Sequence, residues 1–114
     1  MAGGICLADY GYVQLSEASK NELICKLTEE LPVLRAKIAL SQEEISEIIG
    51  VSRQTYSAIE TRRRKMSWNT FLSLILLFDN NDKTKEMLKM VGAFPETLRN
   101  LLNVDNRNAD SNER

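Results

Sequence analysis

The 114-residue sequence predicts an all-α fold, a compact helical bundle with two further helices at its C-terminal end. Three observations predict it. Apolar residues recur three and four apart in successive segments, as in Leu23, Ile24, Leu27 and Leu31 or in Ile45, Ile48 and Ile49. Good helix-starting residues stand before such segments at Ser19, Ser41, Ser52 and Ser67. Gly50 and Gly92 follow two of them, where a left-handed residue ends a helix at low steric cost.

Residues 1–18 form an N-terminal arm, poorly ordered or a short strand. Gly3, Gly4 and Gly11 argue against helix there, and Tyr10, Tyr12, Val13 and Leu15 suit a short strand. The arm either lies lightly on the body or crosses to a partner subunit. Ser19 and Glu22 have the spacing of a capping box, so the first helix is expected from Ser19 to about Glu30. Pro32 suits the first turn of a second helix, where a missing N–H costs nothing, with Leu34, Ala36, Ile38 and Ala39 following.

Ser41 and Glu44 repeat the capping-box spacing and open a short helix that Gly50 ends. Ile45, Ile48 and Ile49 are its expected apolar stripe, and Glu43 and Glu47 face solvent. Val51 turns inward, and Ser52 caps the next helix. There Tyr56 and Ile59 share an inner face, while Arg53, Gln54, Ser57, Ala58 and Thr61 share the outer one. A small polar face beginning Arg-Gln suits a DNA major groove, because Arg can bond a guanine edge and Gln an adenine edge bidentately. Arg53 and Gln54 are therefore the expected base readers, with Ser57 and Ala58 beside base edges and Ala58 placed to meet a thymine methyl. Ser52 and Thr55 contact phosphate or cap the helix.

Ser67 caps a helix from Trp68 to about Phe78, with Trp68, Phe71, Leu72 and Ile75 inward and Leu74, Leu76, Leu77 and Phe78 making it apolar almost all round. Asp79 to Asp82 is a turn. Lys83 to Val91 is a helix ended by Gly92, and Pro95 starts a last one carrying Leu98, Leu101 and Leu102. Residues 19–80 thus form the central domain with its leading helix, residues 81–103 the C-terminal helices, and residues 104–114 a polar, disordered tail.

The stretch Leu40-Ser41-Gln42-Glu43-Glu44-Ile45, then Gly50-Val51-Ser52-Arg53-Gln54-Thr55, then Ile59-Glu60, resembles the helix-turn-helix of the Cro and phage-repressor type, as in xenobiotic-response-element-like bacterial regulators. The resemblance runs from about Leu31 to about Phe78 and leaves the helix from Ser19 as an addition in front. It implies that Gln42 clasps a phosphate, that Arg35 and Glu60 form a structural ion pair, and that the loop of Arg62, Arg63, Arg64 and Lys65 runs beside the DNA backbone, with Thr61 at its start. One departure is visible: where the family often has Asn-Gly or Thr-Gly after the recognition helix, this chain has Thr61-Arg62.

Composition bounds the alternatives. A hydrophobic share of 43% and a charged share of 27% are ordinary for a globular chain, and the length leaves no room for a separate sensor domain of usual size. The net charge of −1 is uneven: residues 31–66 hold seven basic against four acidic side chains, whereas residues 1–30 hold two against five. Cys6 and Cys25, with no CxxC and no His anywhere, read as reduced cytosolic thiols rather than metal ligands. The N-terminus lacks a signal-peptide pattern, and the longest apolar run is too short to span a bilayer. No Gly-rich phosphate loop or catalytic constellation appears, so no enzyme, metal or cofactor is expected.

The expectation is a cytoplasmic transcriptional regulator that binds double-stranded DNA as a homodimer and represses. Two other readings stay open. One is an antitoxin-like autoregulator that holds a protein partner through its C-terminal helices. The other is an interaction module that keeps the helix-turn-helix as scaffold.

Overall fold

The computed structural model describes residues 15–104, and among them it forms six α-helices. These are α1 (Glu17–Lys37), α2 (Gln42–Ile49), α3 (Arg53–Glu60), α4 (Trp68–Asp79), α5 (Asp82–Val91) and α6 (Glu96–Leu102). The all-α bundle is thus as the periodicity predicts. Residues 1–14 and 105–114, which include most of the expected arm and tail, lie outside the described residues.

Helix α1 differs from expectation in both its start and its continuity. It begins at Glu17, capped by Ser16, whose Oγ accepts the Ser19 N–H at 3.1 Å. The expected Ser19–Glu22 capping box is absent: Ser19 lies inside the first turn, and Glu22 pairs instead with Lys26 one turn on. The helix then runs through Pro32 to Lys37, so the separate leading helix and the first helix of the motif are one element. Proline in a helix interior removes a hydrogen bond and crowds the preceding turn, at about 3 kcal/mol. Packing outweighs that. Leu23, Leu27, Leu31 and Leu34 form one unbroken stripe, at most 6% exposed, and burying each contributes roughly 1.5–3 kcal/mol. Pro32 itself lies on the exposed side.

The long α1 is the spine against which α3, α4 and α5 pack, while α2 leans on α3 and α4, and α4 on α5. Tyr56 and Ile59 of α3, Phe71, Leu74, Ile75 and Phe78 of α4, Leu88 of α5 and Leu98 of α6 complete a single core. The buried stripe of α4 is therefore Phe71, Leu74, Ile75 and Phe78; Trp68 and Leu72, expected inward, are half-buried, with Trp68 stacked on Phe71 at 4.7 Å. The C-terminal helices are pinned by polar contacts as well. Thr84 Oγ1 donates to the Phe78 carbonyl at 2.6 Å, and Arg99 of α6 reaches Asp79 at 3.4 Å while its guanidinium lies over the Phe94 ring at 4.1 Å.

Among the described residues, coverage of the apolar surface is incomplete. Leu76 on α4 is 67% exposed, Met90 on α5 84% and Leu102 on α6 51%. Ile48, expected in the inner stripe of α2, is also largely exposed, and Ser46 is buried in its place, its hydroxyl donating to the Glu43 carbonyl at 2.8 Å. Among the described residues, no helix is long and apolar enough to cross a membrane.

Candidate nucleic-acid interface

The geometry of α2 and α3 is set by local chemistry at each end. Ser41 Oγ accepts the Glu44 N–H at 3.0 Å, and the Glu44 carboxylate accepts the Ser41 N–H at 2.8 Å, a complete capping box. Gly50 closes α2 at φ 81°, and a Cβ there would meet no atom within 4 Å, so its conformation rather than its small size is what the turn needs. Ser52 then caps α3, accepting the Thr55 N–H at 3.0 Å and donating its own hydrogen to Thr55 Oγ1 at 3.0 Å. The backbone N–H groups of Arg53 and Gln54 are left pointing out of the helix N-terminus, where they favour negative charge.

With α3 held this way, Arg53, Gln54 and Thr61 are exposed and Ser57 and Ala58 half-buried, opposite the buried Tyr56 and Ile59. At about 100° per residue the five outward residues cover about 140° of the helix circumference, a face wide enough to lie against a groove. The side chains of Arg53 and Gln54 have no hydrogen bond or ion pair with any described residue.

The end of α3 explains how the chain manages without the glycine that the family often has. Arg62 N–H donates to the Ile59 carbonyl at 3.0 Å and Arg63 N–H to the Ala58 carbonyl at 2.8 Å. This is a Schellman closure with Arg62 in the left-handed position, at φ 65°. A side chain in that conformation costs roughly 1–2 kcal/mol. The loop that follows presents Arg62, Arg63, Arg64 and Lys65, all exposed. Arg63 Nε donates to Thr61 Oγ1 at 3.1 Å, and Lys65 Nζ donates to Asn21 Oδ1 on α1.

Behind this face a polar cluster fixes three helices to one another. Arg35 of α1 donates from Nε and Nη2 to the two carboxylate oxygens of Glu60 at the end of α3, at 2.9 and 3.0 Å. Its Nη1 also reaches the Leu40 carbonyl at 3.1 Å. Tyr56 Oη donates to Glu60 Oε2 at 2.8 Å, and Gln42 Nε2, from the first turn of α2, donates to Glu60 Oε1 at 2.8 Å. Burial pushes the Glu60 carboxyl up, but hydrogen bonds from Arg35, Gln42 and Tyr56 outweigh it, so Glu60 is held below its ordinary range. The Tyr56 hydroxyl is pushed well up, first by burial and then by its hydrogen bond to the Glu60 carboxylate. Gln42 must turn its amide nitrogen to Glu60, since a carboxylate only accepts. Its second amide hydrogen is the side-chain donor left for a phosphate.

Residues 34–67 match the family model described as Helix-turn-helix. This segment is a helix-turn-helix of the Cro and phage-repressor type. The motif is that of DNA-binding regulators. No curated protein and no solved structure matches the chain. The helix-turn-helix takes in the last turn of α1, all of α2 and α3, and the cationic loop up to the cap of α4. Two of its structural members carry no obvious mark in the sequence. One is the Tyr56 hydroxyl, whose only sign is its place four residues before Glu60. The other is Leu40, whose backbone carbonyl leaves no trace at all. Among the described residues no group of three His, Cys, Asp or Glu side chains could hold a metal ion.

Proposed function

We propose that the protein is a sequence-specific regulator that binds double-stranded DNA in the cytoplasm as a homodimer and represses by occupying a promoter. The observation that carries this is the outward row of Arg53, Gln54, Ser57 and Ala58 on a helix whose own contacts leave the first two side chains free. Arg53 and Gln54 read base edges, with Ser57 and Ala58 packed beside them. Gln42, Ser52, Thr55, Thr61 and the loop cations Arg62 to Lys65 hold the phosphates on either side, which positions the reader without specifying sequence. The Arg35–Glu60 pair is structural: it fixes the angle at which α3 leaves the body.

A single copy offers one short reading helix and a modest cationic patch, so two copies are required for tight, specific binding. Two such helices about 34–36 Å apart would enter successive major grooves of a roughly palindromic site. The exposed Leu76 and Leu102, on α4 and α6, support a protein contact in this C-terminal region. The same surface favours a second reading, in which it holds a different protein, as in an antitoxin or an interaction module.

Selection of binders from a randomised duplex pool, with the winners titrated at two salt concentrations, tests the proposal. Recovery of a palindrome with half-sites one turn apart, bound with a salt slope of about −0.9 per neutralised phosphate, is the expected result. A pool that shows no enrichment, with binding erased by salt, overturns it in favour of the interaction module.

A further inference from the structure

A groove of about 370 Å³ lies between the N-terminal half of α1 and the loop that follows the recognition helix. We propose that it is a binding site for a small amphipathic carboxylate, and that its occupant regulates DNA binding by drawing on the same loop cations. The coupling rests on the DNA-binding reading above; the site itself does not.

The volume is in the range of small-molecule sites. Most of the surface inside the groove is carbon. Ile24 supplies its floor, and Cys25, exposed on α1, its side. Thr28 also lines it, with its hydroxyl hydrogen already donated to the Ile24 carbonyl at 2.7 Å, so its oxygen faces the groove as an acceptor alone. The rim is cationic. Arg62, Arg64 and Lys65 stand there against one carboxylate, Glu29. Lys65 is engaged with Asn21 and closes one edge, but Arg62 and Arg64 have no side-chain partner among the described residues, and Glu29 forms no ion pair with either. Two unpartnered guanidinium groups above a carbon-rich floor fit a carboxylate head on a short apolar body, because guanidinium matches carboxylate bidentately. Glu29 disfavours a dianion.

Arg62 reaches the rim from a left-handed position that glycine would fill without strain, as Ala39 does at the end of α1. A ligand held by Arg62 and Arg64 neutralises charge that the phosphates would otherwise meet. Occupancy of the groove and tight DNA binding therefore oppose each other.

The test uses the full chain and octanoate as the probe, followed by amide shifts in two-dimensional NMR. Acetate, octanol and octylammonium serve as controls for charge alone, apolar body alone and the wrong charge. For a ligand of about ten heavy atoms, saturable binding with a Kd on the order of 1 mM or tighter is expected. The shifts should fall on Asn21 to Glu29 and Arg62 to Lys65, and each control should bind at least about tenfold more weakly. Cys25→Trp, which fills the groove from an exposed helix position, and Arg64→Gln should each weaken octanoate about tenfold, with Cys25→Leu as a milder filling variant should the Trp form not fold. No saturation by octanoate, shifts elsewhere on the molecule, or equal binding of any control overturns the site. Saturating octanoate should also weaken duplex binding severalfold in the wild type and not in Cys25→Trp. If octanoate fills the groove and duplex affinity is unchanged, the regulatory coupling is wrong. If no duplex is bound under any condition, the DNA-binding proposal fails, and the shifts alone decide the site.

Discussion

Arg35 grips Glu60 with two hydrogen bonds, Nε to Oε2 at 2.9 Å and Nη2 to Oε1 at 3.0 Å, across a sequence separation of 25 residues. The pair joins the end of α1 to the end of α3, and the Glu60 side chain is only 6% exposed. A carboxylate at a helix C-terminus is disfavoured by the backbone dipole, so the arrangement persists because three donors surround it. Removing one partner of such a pair leaves the other charge without compensation. Glu60→Gln should therefore cost about 3 kcal/mol of stability in urea unfolding. Tyr56→Phe, which removes one hydrogen bond and no charge, should cost about 1 kcal/mol. The double variant Arg35→Met with Glu60→Gln should be less destabilised than the sum of the two single changes. Additive losses would show that the two side chains act separately.

The same cluster gives stability a dependence on pH with two limbs of known sign. Glu60 is held below its ordinary value of 4.5, first against burial and then by the hydrogen bonds of Arg35, Gln42 and Tyr56. Its contribution is present above that value and is lost as pH falls through the folded pKa. Tyr56 is raised above its ordinary value of 10.0 by burial and by Glu60. That contribution is present below 10.0 and is lost as pH rises toward the folded pKa. Urea midpoints measured across pH should fall on both sides. Glu60→Gln should flatten the acid limb and Tyr56→Phe the alkaline one. An acid limb of unchanged slope in Glu60→Gln would assign it to other carboxylates.

Pro32 stands in the middle of α1 on its exposed side. Nothing in the described structure repays the hydrogen bond it removes except the leucine stripe on the opposite face. Pro32→Ala should stabilise the fold by about 1–2 kcal/mol, the helix gain being partly offset by a freer unfolded chain. Thermal unfolding reads it directly. A loss of stability would mean that a bend at Pro32 is needed for both halves of α1 to reach the core.

Much of this fold was legible because the decisive features are local. Ser41 with Glu44, Gly50, Ser52 and Ser67 each fix a helix end through contacts within a few residues, and each stands where the sequence implies. The rest depended on distant partners. Pro32 looks like a helix start, and only the burial of Leu23 through Leu34 along one line shows that the helix continues. Ile48 belongs to the apolar stripe by spacing, but no helix among the described residues covers that side of α2, so it is exposed. The outer face of α3 could be read from period alone. The cluster behind it could not, since Gln42, Tyr56 and Leu40 join Arg35 and Glu60 only in three dimensions. The groove under the cationic loop is likewise a meeting of two segments, α1 and residues 62–65, more than thirty residues apart.

Among the described residues, two that are not glycine sit in the left-handed region, Ala39 at φ 55° and Arg62 at φ 65°. Both close helices, and both strain the backbone, but only Arg62 carries a charge. Ala39→Gly and Arg62→Gly should each raise stability by about 1 kcal/mol. Their effects on duplex binding should diverge. Ala39→Gly should leave it unchanged, while Arg62→Gly should weaken it and reduce the salt slope by about 0.9, the loss of one phosphate contact. Equal effects on binding would show that Arg62 is tolerated in the turn rather than required there.

The proposed division of labour on the recognition face makes the sharpest demand. Arg53 and Gln54 are exposed and unpartnered at the start of α3, whereas Arg63 lies beyond its end with Nε on Thr61. Arg53→Ala or Gln54→Ala should cost roughly 1–3 kcal/mol on the preferred duplex and relax the preference at one or two base positions. Arg63→Ala should instead weaken all duplexes alike and flatten the salt dependence, because a phosphate contact carries no sequence information. Binding of a panel of singly substituted duplexes at two salt concentrations separates these outcomes. If all three variants lose affinity uniformly across the panel, α3 lies along the backbone and the bases are read by other residues. If Arg63→Ala alone changes the base preference, the loop enters the groove, and the reading face is centred one turn later than the geometry of α3 implies.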